Sequence, residues 1–260
     1  KANEEKYRGS SDGAKLHLKI RENAAAAMEV ERAIAIAKKN GAHVHICHLT
    51  TKEEVAIIAA AKKDYKSLSC EVTPHHLFLT ADSETAARLG NYTKVNPPLR
   101  TKDDAIALWN AVAEGVVNVV ATDHAPHLPE EKEQDYWTAP AGMPGLQTMM
   151  PLMLDSVNKN RITLQQLIKL TSENPAAVFG IKNKGKIAAG YDADITLVDM
   201  KEEKTIKNDE MLSKCGWTPF NGWGVKGVVA ATIVNGNIIC SDCEIVEEKI
   251  KGEEVMFGGN

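Results

Sequence analysis

The chain has 260 residues, 43% of them hydrophobic and 25% charged, with a formal net charge of −4. That is a globular composition, long enough for one large domain or two smaller ones, and it excludes disorder as a global description. The acidic balance provides no basic field for nucleic acid or an anionic membrane, and no apolar run reaches spanning length, Gly227–Val234 being about the longest.

Lys1–Ser11 is polar without a clear period and reads as a solvated lead-in. From Asn23 the pattern is helical. Ala27, Val30, Ile34 and Ala37 share one face, Lys38 and Lys39 suit a last turn, and Gly41 supplies the residue just past it. Ala42–Leu49 reads as a strand. Thr51-x-x-Glu54 is a capping box that opens a second helix, with Val55, Ile58 and Ala59 on its apolar side. Leu68–Thr73 is a second strand, ended by Pro74; Asp103–Glu114 is a third helix and Val116–Thr122 a third strand. This alternation predicts parallel strands covered by helices. Pro126–Pro151, with five prolines and two glycines, reads as loop, and helix resumes near Leu152 and at Thr163–Thr171. After Phe179-Gly180 come short β-type runs, Ile187–Met200, Val228–Val234 and Asn237–Ile239, with Asn235-Gly236 as a hairpin turn. The expected organisation is an α/β unit over 1–180 and a mostly β unit over 181–260. Five scattered cysteines fit reduced thiols and a cytoplasmic location.

Polar groups collect where the three strands end: His48, then His75-His76, then Asp123-His124 with His127. In a (β/α) barrel the reactive groups project from those ends. Imidazole and carboxylate together suit a divalent transition metal such as zinc, which lowers the pKa of a bound water. No nucleophile elbow and no phosphate-binding loop competes. Cys240-x-x-Cys243 lacks a second pair and reads as incidental.

Val44–Thr51 (VHICHLTT), Cys70–Leu77 (CEVTPHHL), Lys94–Arg100 (KVNPPLR) and Ala121–His127 (ATDHAPH) resemble the dihydroorotases of the amidohydrolase superfamily. Glu173–Gly180 and Lys184–Asp199 look like the exit of such a barrel into its β-sandwich. The resemblance implies an α/β fold: the C-terminal part of a (β/α)8 TIM-like barrel of the metal-dependent amidohydrolase type, followed by strands of a small β-sandwich domain. It implies the zinc-dependent, reversible cyclisation of N-carbamoyl-L-aspartate to L-dihydroorotate, with two Zn2+ ions and a metal-bound hydroxide as nucleophile. By the same resemblance His48 binds one metal and Asp123 the other, with Asp123 as general base and acid; Asn96, His127 and the backbone at Gly142 hold the substrate. Cys47, Glu71 and His76 correspond to an accessory third zinc site of some dihydroorotases.

The remaining candidates have plainer readings. His43 and His45 share a strand face and read as structural, as do His75 and His76 beside the site. Arg100 reads either as a guide for an anionic substrate or as a buried structural group, and Trp217 and Trp223 as packing for the Cys215–Gly224 segment. His17 stands alone. The family's first-strand H-x-H, its bridging lysine or aspartate and its fifth-strand histidine have no counterpart here. The chain is therefore expected to need an N-terminal half as its partner, with a homo-oligomer or an aspartate transcarbamoylase as further partners. Two alternatives stay open: a related hydantoinase or allantoinase, and a non-catalytic dihydroorotase-like scaffold that binds aspartate transcarbamoylase.

Overall fold

The computed structural model describes residues 2–10, 13–242, 244–246 and 252–258. Cys243 lies outside the described residues, so the Cys240-x-x-Cys243 spacing has no structural counterpart to report. The chain divides into two compact units, Lys1–Gln147 with Lys207–Asn221, and Thr148–Ile206 with Gly222–Asn260.

The first unit opens with α1 (Ala2–Lys6), α2 (Gly13–Ile20) and α3 (Asn23–Asn40), followed by β1 (Val44–Ile46), α4 (Lys52–Ala61) and β2 (Leu68–Val72). Then come α5 (Pro74–Phe78), α6 (Glu84–Leu89), α7 (Lys102–Ala113), β3 (Val119–Val120) and α8 (Pro129–Lys132). Helix α8 corrects part of the loop expected over Pro126–Pro151, and the helical lead-in corrects the loop expected at Lys1–Ser11. In place of a hydrophobic period, side-chain bonds fasten it: Asn3 Nδ2 donates to the Ile20 carbonyl (3.3 Å) and to Glu22 Oε1 (2.9 Å). The helix α3 buries Val30, Ile34 and Ala37 and stops at Gly41, which takes a left-handed φ of 62°. In α4 the capping box is closed in both directions, Glu54 N to Thr51 Oγ1 at 3.1 Å and Thr51 N to Glu54 Oε2 at 2.8 Å.

The three strands form a parallel sheet in the order β1-β2-β3, with Val44 opposite Leu68, Ile46 opposite Cys70, and Val72 opposite Val120. Central β2 alternates fully buried Leu68, Cys70 and Val72 with half-buried Ser69 and Glu71. The outer strands are shorter than expected at both ends, and past them His48 (φ 40°) and Asp123 (φ 44°) turn the chain out of the extended region. One carboxylate joins three helices: buried Asp104 closes the α7 capping box with Thr101 and accepts from Lys52 N (3.1 Å) at the start of α4 and Asn23 Nδ2 (3.3 Å) at the start of α3.

The second unit holds α9 (Met149–Asn158), α10 (Leu164–Ile168), a π turn at Lys169–Glu173, and α11 (Asn174–Val178). Its antiparallel sheet has the order β4-β5-β6-β7, from β4 (Ile195–Thr205), β5 (Gly224–Val234), β6 (Asn237–Ser241) and β7 (Glu244–Ile245). Asn235 (φ 48°) and Gly236 (φ 77°) make the expected hairpin turn. The compact units part at 147/148, whereas the change from helix to strand character comes near 180. The reason is that α9 packs on β5. A Cβ on Gly227 would lie 2.7 Å from Leu154 Cβ, so only glycine lets helix and strand approach so closely.

Candidate active site

Each candidate metal ligand sits at the same place in its own βα unit. His48 follows β1 by two residues and Asp123 follows β3 by three, and both adopt the left-handed region. Such backbone costs a non-glycine residue roughly 1–3 kcal/mol and clusters where a side chain must be aimed. The Nδ1 atom of His48 and the Nε2 atom of His75 are buried without a hydrogen-bond partner among the described residues. An orphaned buried nitrogen costs about 1–3 kcal/mol, and a metal ion is one acceptor of its lone pair. Burial first, then the neighbouring His76 and His48, drives the His75 imidazole well below its ordinary range. The donor set of imidazole and carboxylate fits zinc. The candidate ligands in this chain are His48 and Asp123, fewer than the three protein ligands of an ordinary catalytic zinc site.

His76 is satisfied internally, with Thr73 Oγ1 at 2.7 Å from Nδ1 and the Pro97 carbonyl at 3.0 Å from Nε2. Burial holds it at about 3. The expected Cys47–Glu71–His76 cluster is therefore not formed. The structure instead gathers His45, Cys47 and Glu71, whose donor atoms lie within 4.8 Å of one another. His45 Nε2 is 3.0 Å from Glu71 Oε2, and its Nδ1 is 2.8 Å from Ser69 Oγ. The cause is strand alternation: His45 and Cys47 share a parity, and β1 pairs with β2 so that His45 faces Ser69, two residues from Glu71 on the same face. Desolvation of the sulfur, followed by the Glu71 and Asp123 charges, pushes the Cys47 thiol up.

The segments expected to hold substrate are joined by backbone and buried cations. Gly142 N donates to the Lys94 carbonyl (2.9 Å). Gly142 has φ 148°, and a Cβ there would meet Ala125 O at 2.5 Å, Ala125 Cβ at 2.8 Å and His127 Cδ2 at 3.1 Å. His124 Nδ1 accepts from Gly145 N (3.1 Å) and Leu146 N (3.2 Å), which ties the end of β3 to the Gly-Met-Pro-Gly stretch. Lys132, fully buried, donates to the carbonyls of Lys94 (3.1 Å), Pro140 (2.9 Å) and Gly142 (3.1 Å). Burial, with some help from Lys94, lowers its ammonium to about 8. His127 keeps its ring partly exposed, 3.8 Å from Glu131, while its carbonyl accepts from Trp217 Nε1 (2.8 Å). Asn96 is exposed, and its Oδ1 lies 2.9 Å from His17 Nε2. Arg100 faces inward: it is buried and held by Thr50 Oγ1 (3.2 Å) and the Arg21 carbonyl, which is a structural role.

The sequence gives no sign of Lys132 and shows His17 only as an isolated histidine. No local pattern marks a lysine in an acidic turn as buried, and α2 is too short for its face to be read from period.

Residues 4–239 match the Amidohydrolase family model, and the chain belongs to that family. A dihydroorotase of Pyrococcus furiosus is 44% identical over 230 residues, which cover 88% of this chain and 52% of that protein. One from Methanosarcina mazei is 46% identical over 215 residues, 79% of this chain and 46% of the relative. Among solved structures, the L-hydantoinase (dihydropyrimidinase) of Arthrobacter aurescens superposes with a TM-score of 0.90 at 30% identity, over 95% of this chain and 56% of that one. Dihydropyrimidinase from Brevibacillus agri gives 0.88 at 28% identity, over 94% and 55%. The fold is thus α/β, a part of an amidohydrolase barrel with its β-rich neighbour. The chain spans about half the length of the curated relatives it matches. Among the described residues, no helix is long and apolar enough to cross a membrane.

Proposed function

We propose that this chain forms the C-terminal part of a dihydroorotase site that opens and closes the cyclic amide of L-dihydroorotate. The observation that carries the reading is the equivalent placement of His48 and Asp123. Both are left-handed residues just past parallel strands, and His48 presents an orphaned buried nitrogen. His48 would hold one zinc ion and Asp123 the other. The remaining ligands come from an N-terminal half, the partner that the length of the relatives implies. A zinc ion held there would supply Lewis acidity toward the amide carbonyl and would lower the pKa of a bound water toward neutrality.

The chain's own groups supply the rest. Asp123 Oδ takes the proton of the attacking water and delivers it to the ring nitrogen as the C–N bond breaks; in the cyclising direction the proton returns along the same path. Asn96, His127 and the Gly142 backbone hold the carboxylate and amide edges of the substrate. The wall of backbone carbonyls tied by Lys132 and Lys94 keeps the Gly142 segment in place. Identities of 44% and 46% to dihydroorotases, against 30% and 28% to the hydantoinase-type structures, favour dihydroorotate over hydantoins as substrate. Five scattered cysteines keep the cytoplasm as the proposed location.

A substrate panel tests the choice. The chain combined with an N-terminal half is expected to turn over dihydroorotate and carbamoyl aspartate; hydrolysis of hydantoin or allantoin alone would replace the reading with the related cyclic amidase.

A further inference from the structure

Buried His17 makes bonds that fix its protonation without reference to any assumed hydrogen. Its Nε2 lies 2.9 Å from the Val95 carbonyl, a group that can only accept, so Nε2 carries the proton. The same Nε2–H faces Asn96 at 2.9 Å, and the Asn96 atom turned toward it must therefore be oxygen. Nδ1 is then an acceptor, and the Tyr136 hydroxyl, 2.6 Å away, donates to it. Burial holds the ring at about 4, so it stays neutral through the physiological range. With Oδ1 pinned, the Asn96 amide has one orientation, and its Nδ2 hydrogens form the outward end of an exposed side chain with no partner among the described residues.

We infer that His17 is a positioning residue: it fixes the amide of Asn96 so that two N–H donors, and no acceptor, face the substrate. This rests on the proposed role of Asn96 in holding dihydroorotate. The ligand chemistry follows. A donor-only end selects a carboxylate or carbonyl oxygen and rejects a substrate edge that presents N–H. An unpinned asparagine would offer either end.

The test is a double-mutant cycle in the enzyme assembled with an N-terminal half, using His17→Ala, Asn96→Ala and both together, with dihydroorotate as substrate. A charge-assisted donor misplaced at random is expected to raise KM about tenfold with kcat little changed. In the Asn96→Ala background the His17 change should add less than about twofold, because its route to substrate is gone. Equal factors in both backgrounds would show that His17 acts by another route and overturn the inference. An Asn96→Ala enzyme with unchanged KM would overturn the substrate role of Asn96 itself, and this inference with it. Nitrogen-15 NMR of His17 in the unmutated chain gives a readout that no folding defect can mimic. The Nε2–H tautomer, constant from pH 8 to pH 5, is expected; an Nδ1–H tautomer or a protonated ring at pH 6 contradicts the pinning.

Discussion

Replacing Gly142 by alanine tests the geometry of the proposed substrate wall, and its cost can be worked from the structure. The new Cβ would start 2.5 Å from Ala125 O and 2.8 Å from Ala125 Cβ, both on the short loop after Asp123. Neither is the end of a flexible side chain, so the loops must part by nearly an ångström. Overpacking of this kind costs about 1–3 kcal/mol. The backbone at φ 148° adds its own strain, roughly 1–3 kcal/mol for a residue with a side chain. The sum is about 2–6 kcal/mol. Gly115 is the internal control. It lies in the same compact unit at φ 75°, where a Cβ would meet nothing within 4 Å, so alanine there suffers backbone strain alone. Urea denaturation followed by tryptophan fluorescence reports on this unit, which holds Trp109, Trp137 and Trp217. Gly142→Ala should cost at least about 1 kcal/mol more than Gly115→Ala. Equal losses would refute the close approach of the Gly142 segment to the loop that carries His127.

Further outcomes follow from other contacts. Asp104→Ala removes the buried carboxylate that bonds to the starts of three helices and should lower stability by about 1–3 kcal/mol in the same assay, since it opens a capping box and leaves part-buried donors unbonded. Lys132→Met keeps the volume but leaves the Pro140 and Gly142 carbonyls unbonded; relief of a buried charge offsets part of the loss, and a net cost of about 1–3 kcal/mol is expected by denaturation. Acid should weaken the first unit early. His17 and His76 titrate at about 4 and about 3 when folded, against 6.5 in an unfolded chain. The unfolded state therefore binds protons that the fold excludes, so their contribution is intact above pH 6.5 and is lost as pH falls toward 4. The slope approaches about 1.4 kcal/mol per pH unit for each histidine, and urea midpoints at pH 7, 6 and 5 would record it.

Periodicity and capping signals located the longer helices α3, α4, α7 and α9 and all three parallel strands, because each has a short-range cause, while short helices such as α2, α5, α6, α8 and α11 have too few residues to show a period. The Thr51–Glu54 box, the Gly41 terminator and the apolar stripe of α3 are legible in a few consecutive residues. The strand ends carrying His48 and Asp123 were legible for the same reason. What sequence spacing could not supply was long-range pairing. His45 joins Cys47 and Glu71, and His76 does not, because the β1–β2 register decides which side chains meet. His17 looked isolated because its partners Tyr136 and Asn96 lie 119 and 79 residues away. The unit boundary near 180 followed a change of local pattern, whereas compactness follows the packing of α9 on β5 through Gly227. Helix α1 was missed because the bonds that fasten it come from the chain around Ile20 and Glu22.

In the proposed reaction Asp123 moves the proton of a zinc-dependent ring opening at a site that this chain forms together with an N-terminal half. The most direct measurement is the rate of dihydroorotate hydrolysis by the assembled enzyme carrying Asp123→Asn, with zinc content measured on the same sample. The expected result is a loss of about 10²–10⁴-fold or more, together with weakened zinc retention. An unchanged rate with zinc fully bound would contradict it.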